Sequence, residues 1–386
     1  MNFILTSPHF PENMEFFAMR LKEEGVNVLG IGDRAYDELS DTLKFSLTEY
    51  FKVDNLENLD EMKRAVAFLI YKYGPIDRIE SNNEHWLFND AILREQFNVP
   101  GIRPEELSKT MYKSKMKELF RNSKVPVVEG YIVNEKADLD KAIKKLGYPF
   151  IAKPNHGVGT SATYKIESAK DVDTFLEEWN GTEYFLEPFV EDAELCTYDG
   201  LIDSEGNIVY ETTFYYNKPT LEQANGGESG YVVEATIDPK LQKYGHSIVK
   251  SFGMKERFFH IEFFRKKDGE YVALEYNNRS AGGYSIDLYN FAISNDLYKI
   301  YAQIVAGTLE KQPTYNLRYA SSTSRRNEVE YVHTREEIIK KYGEDIKMIK
   351  KVPEIFSGLM GNEVFVVLSD SRKEADEIMR YIHKQK

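Results

Sequence analysis

Two periods of apolar spacing divide this chain. In the first hundred residues short apolar-rich runs at 2–5, 26–31, 49–53 and 76–79 read as buried strands. Between them, at 12–24, 59–73 and 84–97, apolar residues recur every three to four positions and predict amphipathic helices, the first stopped by Gly25. Strands alternating with helices imply a parallel sheet with right-handed crossovers, which collects ligands at the carboxyl ends of its strands. The segment from Glu80 to Glu84 occupies one such end. Glu84 reads first as a carboxylate complementing a helix N-terminus, and second as a residue lining a cleft.

Val99-Pro100-Gly101 and Pro104 close this region, and a helix over 107–122 follows. Val125-Pro126-Val127 is expected to open the next sheet, with strands at 148–153, 162–167 and 184–190. A helix over 168–179 has Ser168 and Asp171 as its capping pair. The segment 260–276 reads as a hairpin: two apolar-rich strands joined by a Lys-Lys-Asp-Gly turn. From Gly307 the pattern is strand, helix, strand, helix, ending in a buried strand over 364–368 and an amphipathic helix over 371–383.

That hairpin carries the densest chemistry. In an extended strand Glu275, Asn277 and Arg279 share a face, and the pairing brings Glu262 beside Glu275. Hard oxygen ligands at this spacing suit Mg²⁺, which keeps positions open for phosphates and water, and an arginine at the edge forks onto a phosphate or carboxylate. Upstream, Lys153 ends a buried strand before Gly157-Val158-Gly159-Thr160-Ser161. Glycines admit phosphate oxygens to backbone N–H groups, and the lysine supplies a point charge. A dinucleotide fingerprint is excluded, because a strand rather than a helix follows the glycines. Glu187 at a strand end and Glu194 seven residues later suit a nucleoside: one carboxylate for an exocyclic amine, a backbone N–H near Val190 for a ring nitrogen, the other carboxylate for ribose.

In this order these motifs resemble the ATP-grasp superfamily, strongly over residues 105–308. The resemblance implies an α/β chain, α+β in the ATP-binding unit, with a Rossmann-like parallel-sheet domain ahead of it. The implied domains are 1–104, 105–183 with the glycine-rich flap, 184–308 with the magnesium site, and 309–386 as a small α/β extension. ATP would be held by Lys113, Lys153, Gly157, Gly159, Thr160, Ser161, Glu187, Phe189, Val190 and Glu194. Mg²⁺, as two ions with Mn²⁺ as a substitute, would sit on Glu262, Glu275 and Asn277; Arg279 and Lys153 would be catalytic. The implied reaction joins a small carboxylate to an amine through an acyl phosphate, as in stand-alone carboxylate–amine ligases. A carboxylase-like enzyme that phosphorylates bicarbonate, a small-molecule kinase and an ATP-binding sensor or scaffold are the alternatives.

Composition changes this picture little. A net charge of −13 argues against nucleic acid or an anionic membrane as partner. A single cysteine, Cys196, forms no internal disulfide and reads as a small core residue. No run of eighteen apolar residues and no signal-like start occur, so a cytoplasmic location is the default expectation, as is a homodimer. The seven histidines never pair at metal-ligand spacing. The polar, glycine-containing stretch 217–230 reads as a loop near the acceptor, with Asp287, Tyr289 and Asn290 facing it. Arg318, Arg325 and Arg326 read as an exposed basic run.

Overall fold

The computed structural model describes residues 1–157, 162–218, 223, 226–311 and 313–386. Four parallel strands, β1 (Asn2–Thr6), β2 (Asn27–Gly32), β3 (Glu49–Lys52) and β4 (Arg78–Glu80), form the first sheet in the order β3-β2-β1-β4. Ile4, Leu29, Ile31 and Ile79 bury one of its faces beneath the helix Leu59–Tyr73. The sequence pattern forecast these elements, with one consequential shift. The helix after β4 begins at Leu87 rather than Glu84, so Glu84 lies in the loop at the carboxyl end of β4.

A second, antiparallel sheet joins β5 (Tyr131–Val133), β6 (Phe150–Pro154), β7 (Tyr164–Ile166) and β8 (Tyr184–Pro188) in the order β5-β8-β6-β7. The segment expected to open it at 125–127 makes only an isolated bridge, Val127 to Ala273. Its N–H-less Pro126 instead accepts from Ala273 N at 2.8 Å. The capping box on the helix Ala169–Glu178 forms from Ser168 and Asp171 as expected.

The third sheet has nine strands: β9 (Glu194–Ile202), β10 (Ile208–Thr212), β11 (Phe214–Tyr216), β12 (Gly230–Val233), β13 (Arg257–Arg265), β14 (Tyr271–Asn277), β15 (Tyr319–Arg325), β16 (Ile346–Lys351) and β17 (Glu363–Ser369). β15 pairs with β12, so the strands of the tail continue this sheet. The tail holds one strand–helix pair more than its pattern suggested. β16, Ile-Lys-Met-Ile-Lys-Lys, is a lysine-rich edge strand whose exposed charges mask its periodicity. Along β13 and β9 side chains alternate cleanly. Phe259, Ile261 and Phe263, with Cys196 and Tyr198, pack under the helices Pro239–Phe252 and Lys113–Asn122. His260, Glu262, Thr197 and Asp199 stand on the opposite face. Among the described residues no helix is long and apolar enough to cross a membrane.

Charges clamp the first sheet to the third. Arg257 donates to Glu80 Oε2 at 2.6 Å and to the Asn278 carbonyl at 3.2 Å, and Arg94 lies 3.5 Å from the same Glu80 oxygen. All three side chains are buried. Arg325 and Arg326 are not an exposed run either. Arg325 donates to the Ile382 and His333 carbonyls, and Arg326 is buried, reaching the carbonyls of Gln223 at 2.8 Å and Gly227 at 3.2 Å. Backbone carbonyls brought from distant loops and helix ends gave these guanidinium groups partners that local sequence does not reveal. Arg318 is half-buried between Asp345 and Asp370.

Candidate functional site

β13 and β14 pair with Glu262 directly opposite Glu275 and His260 opposite Asn277, as the hairpin pattern implies. The four side chains therefore stand on one face. Burial, joined by the neighbouring Glu262 and Glu84 charges, holds Glu275 above the usual carboxylate range, although Lys113 and Lys153 pull the other way. Burial acts likewise on Glu262, but His260 and Arg279 outweigh it and draw that carboxyl below its ordinary value. Two half-buried carboxylates facing each other repel, and a divalent cation between them would relieve the repulsion that the neighbouring Lys113, Lys153, Arg279 and His260 offset only from the sides. Among the described residues no three His, Cys, Asp or Glu side chains group at metal-holding geometry. Two carboxylates and one amide leave the other positions to phosphate oxygens and water, the pattern that suits Mg²⁺.

Arg279 follows β14 and donates from Nε to Glu84 Oε2 at 2.8 Å, from Nη2 to the same oxygen, and from Nη1 to the Ser280 carbonyl at 2.7 Å. With its amide nitrogen turned toward Glu84, Asn277 donates to both carboxylate oxygens at 3.0 and 3.2 Å. Glu84 is thus a member of the cleft rather than a helix cap.

The cations come from the helix Lys113–Asn122 and from β6. Lys113 is buried at the first helical turn, anchored by its N–H on the Asn155 carbonyl. Its Nζ donates to the Gly157 carbonyl at 3.2 Å and lies 4.0 Å from Glu275 Oε1. One turn on, Lys117 is wholly buried, 2.9 Å from Glu187 Oε2, while Lys153 takes Glu187 Oε1. Burial pushes Glu187 up, yet the two ammonium groups override it and hold its carboxyl at about 2. Glu187 therefore has two lysines as its partners, where a carboxylate open to a base was expected. Lys117 went unread in the sequence although it lies four residues after Lys113, on the same helical face.

Phe189 sits under Lys165 Nζ, 4.4 Å from the ring centre, and its N–H donates to the Pro149 carbonyl. Val190 follows it two residues beyond β8, half-buried. Glu194 is exposed at the start of β9, 3.1 Å from Arg265 Nη1. Gly157 takes a φ of 128°, open to glycine alone. Gly159, Thr160 and Ser161 lie outside the described residues, as does part of the 217–230 loop.

Behind Glu262 stands a buried polar chain that the sequence reading missed. His260 Nε2 is 3.4 Å from Glu262 Oε1, and His260 Nδ1 is 2.6 Å from Asp199 Oδ1. Asp199 Oδ2 accepts from Tyr289 Oη at 2.8 Å and from Thr197 Oγ1 at 2.5 Å. Burial works against the imidazolium, but Asp199 and Glu262 raise His260 to about 9. Strand alternation was the available signal, since His260 shares a face with Glu262. Asp287 accepts from Asn13 and Asn290 Oδ1 accepts from Leu297 N–H, so of the three residues expected at the acceptor only Tyr289 joins this network. Cys196 is buried in the core, as read.

Comparison with known proteins follows the same lines. Residues 146–287 match the model of the ATP-grasp domain. The chain is 24% identical over 321 residues, 78% of its length and 76% of the relative's, to an L-arginine-specific L-amino acid ligase of Bacillus subtilis. Its fold superposes on an L-amino acid ligase from Bacillus licheniformis with a TM-score of 0.76 at 16% identity, over 98% of this chain and 96% of that one. N5-carboxyaminoimidazole synthetase from Staphylococcus aureus in complex with ADP gives 0.73 at 17% identity, over 98% and 95%. The match over residues 146–287 identifies an ATP-grasp domain in this chain, within a fold shared with these solved structures along almost its whole length.

Proposed function

We propose that the chain joins a small carboxylic acid to an amine, an α-amino acid serving as at least one of them, at the expense of ATP. The observation that carries this reading is the convergence on one strand face of Glu262, Glu275 and Asn277 with Lys113, Lys153 and Arg279 around them. Lys113 and Lys153 would neutralise the triphosphate, and Arg279, oriented by Glu84, would fork onto the transferring phosphoryl group. Glu262, Glu275 and Asn277 would hold Mg²⁺, which when bound draws charge off the phosphates. A carboxylate oxygen attacks the γ-phosphorus and its bond to the β–γ bridging oxygen breaks, releasing ADP. The amine nitrogen, neutral once its ammonium has lost a proton to solvent, then attacks the acyl carbon; the C–O bond to phosphate breaks, and the nitrogen's extra proton passes to the departing phosphate. The similarity to the two L-amino acid ligases favours amino acids over bicarbonate or an alcohol as acceptor. Two Mg²⁺ ions with Mn²⁺ as a substitute, a homodimer and a cytoplasmic location belong to the same reading.

The test is ADP release from Mg-ATP with pooled amino and carboxylic acids, using hydroxylamine as the trapping nucleophile. ADP that appears only with an acid, together with a hydroxamate, is the expected result. ADP with a phosphorylated alcohol and no hydroxamate would replace the ligase by a kinase.

A further inference from the structure

The polar chain behind Glu262 ends on one oxygen of that carboxylate and leaves the other alone. β9 and β13 pair with His260 opposite Asp199 and Glu262 opposite Thr197, so strand register brings the four side chains together on one face. Asp199 Oδ2 accepts from Tyr289 Oη at 2.8 Å and Thr197 Oγ1 at 2.5 Å, and Oδ1 faces His260 Nδ1 at 2.6 Å. Thr197 Oγ1 in turn accepts from the Phe214 N–H at 3.3 Å. The Phe214 ring lies 15° from the plane of the imidazole, with 6.1 Å between their centres. All five residues are buried, so the imidazole is held at one angle by partners that are themselves held.

Holding Nδ1 on Asp199 directs Nε2 at Glu262, 3.4 Å from Oε1. A ring set between two carboxylates donates from both nitrogens, so Oε1 has a fixed donor. Among the described residues no other side chain donates to Glu262, and Oε2 stays free. Glu275, opposite it, is less restrained: its ion pair is with Lys113 Nζ, 4.0 Å away and already donating to the Gly157 carbonyl. The two carboxylates therefore differ. Glu275 can offer both oxygens to a cation, Glu262 only one. That difference separates the common divalent ions. Mg²⁺ demands near-octahedral geometry from few carboxylate oxygens, with phosphates and water completing its shell. Ca²⁺ is larger, takes about six to eight oxygens and accepts carboxylates through both of theirs. A hydrogen bond behind a ligating carboxylate tunes the affinity of the metal in front of it.

We infer that Asp199 and His260 are positioning residues that keep Glu262 a one-oxygen ligand, and that they thereby favour Mg²⁺ over Ca²⁺ in this cleft. The inference rests on the assignment of Glu262 and Glu275 to the metal, and it is tested without turnover. The probe is ADP, titrated calorimetrically into the full chain in excess Mg²⁺, in excess Ca²⁺ and in EDTA. The readout is the ratio of ADP affinity in Mg²⁺ to that in Ca²⁺. A charge removed near the site acts alike on two dications and cancels in this ratio. The parent is expected to bind ADP more tightly in Mg²⁺. His260→Asn retains a nitrogen for Asp199 but none for Glu262, and the ratio should fall at least about fivefold. His260→Gln retains a donor for Glu262, and the ratio should stay within about twofold of the parent. Asp199→Asn has the same shape but no charge to hold the ring; it should lower the ratio as His260→Asn does, and it carries the test if that variant does not fold. A parent without preference, a ratio unchanged in whichever of these two variants folds, or a ratio that His260→Gln lowers as far as His260→Asn, overturns the inference. Parent ADP binding that is the same in EDTA as in Mg²⁺ overturns the metal assignment itself.

Discussion

Replacing Glu84 by glutamine separates the two readings of this residue. Its carboxylate accepts from Arg279 Nε at 2.8 Å and Nη2, and from the Asn277 amide at 3.0 and 3.2 Å, with 16% of its side chain exposed and 21% of that of Arg279. At that separation and an effective dielectric of about 20 the gross attraction is about 6 kcal/mol, most of it cancelled by desolvation of the two groups. Glutamine keeps an oxygen for Arg279 but no charge, so the net loss is about 1–2 kcal/mol, the worth of a charge-assisted bond beyond a neutral one. If Arg279 acts on the transferring phosphoryl group, that energy is felt in the transition state, and kcat falls about 5- to 30-fold. The KM for ATP changes little, since Lys113 and Lys153 remain.

The assay is steady-state ADP release under hydroxylamine trapping for the parent, Glu84→Gln, Arg279→Lys and the double variant. A positioning role gives a coupling energy of at least about 1 kcal/mol, because Arg279→Lys already forfeits the fork that Glu84 orients. Effects that add to within about 0.5 kcal/mol, or an unchanged kcat in Glu84→Gln, refute the idea that this carboxylate orients the arginine for chemistry.

Three further outcomes are expected. Lys117→Met leaves Glu187 Oε2 buried with no cation, and urea unfolding should show about 1–3 kcal/mol of lost stability; an unchanged midpoint would mean that Lys153 alone satisfies the carboxylate. His260 is raised from 6.5 to about 9, so its contribution is complete below pH 6.5 and disappears as pH rises through 9. The parent in EDTA should therefore lose stability across that window, and His260→Asn should flatten the profile; parallel profiles would rule out a charged His260 in the metal-free fold. Gly245→Ala would place a Cβ 2.1 Å from the Tyr198 ring, so despite a helix-propensity gain of about 1 kcal/mol a net loss of about 1–3 kcal/mol is expected in thermal unfolding; a raised Tm would contradict that packing.

The unread residues share a cause. The β13–β14 register was legible because a turn motif and strand alternation are both local, and they alone bring Glu262 opposite Glu275. Glu84 was misjudged because its partners Asn277 and Arg279 arrive from the far end of a different sheet, 195 residues along for Arg279, and no local period reports such a meeting. His260 was passed over because the histidines were compared only with one another, yet its partner is Asp199 on the neighbouring strand, opposite it in the β9–β13 register. Lys117 had a visible signal in its four-residue spacing from Lys113, but spacing alone leaves open whether a lysine is a surface charge or a buried one. The deciding fact is Glu187, contributed by β8 and itself buried. A buried ion needs its counter-ion within a few ångströms, so each of these charges implied an unseen partner from another element: Glu84 from a loop for Arg279, Asp199 from a neighbouring strand for His260, and Glu187 from β8 for Lys117. Sequence patterns can therefore ask where such partners are, while the tertiary arrangement of strands, helices and loops supplies them.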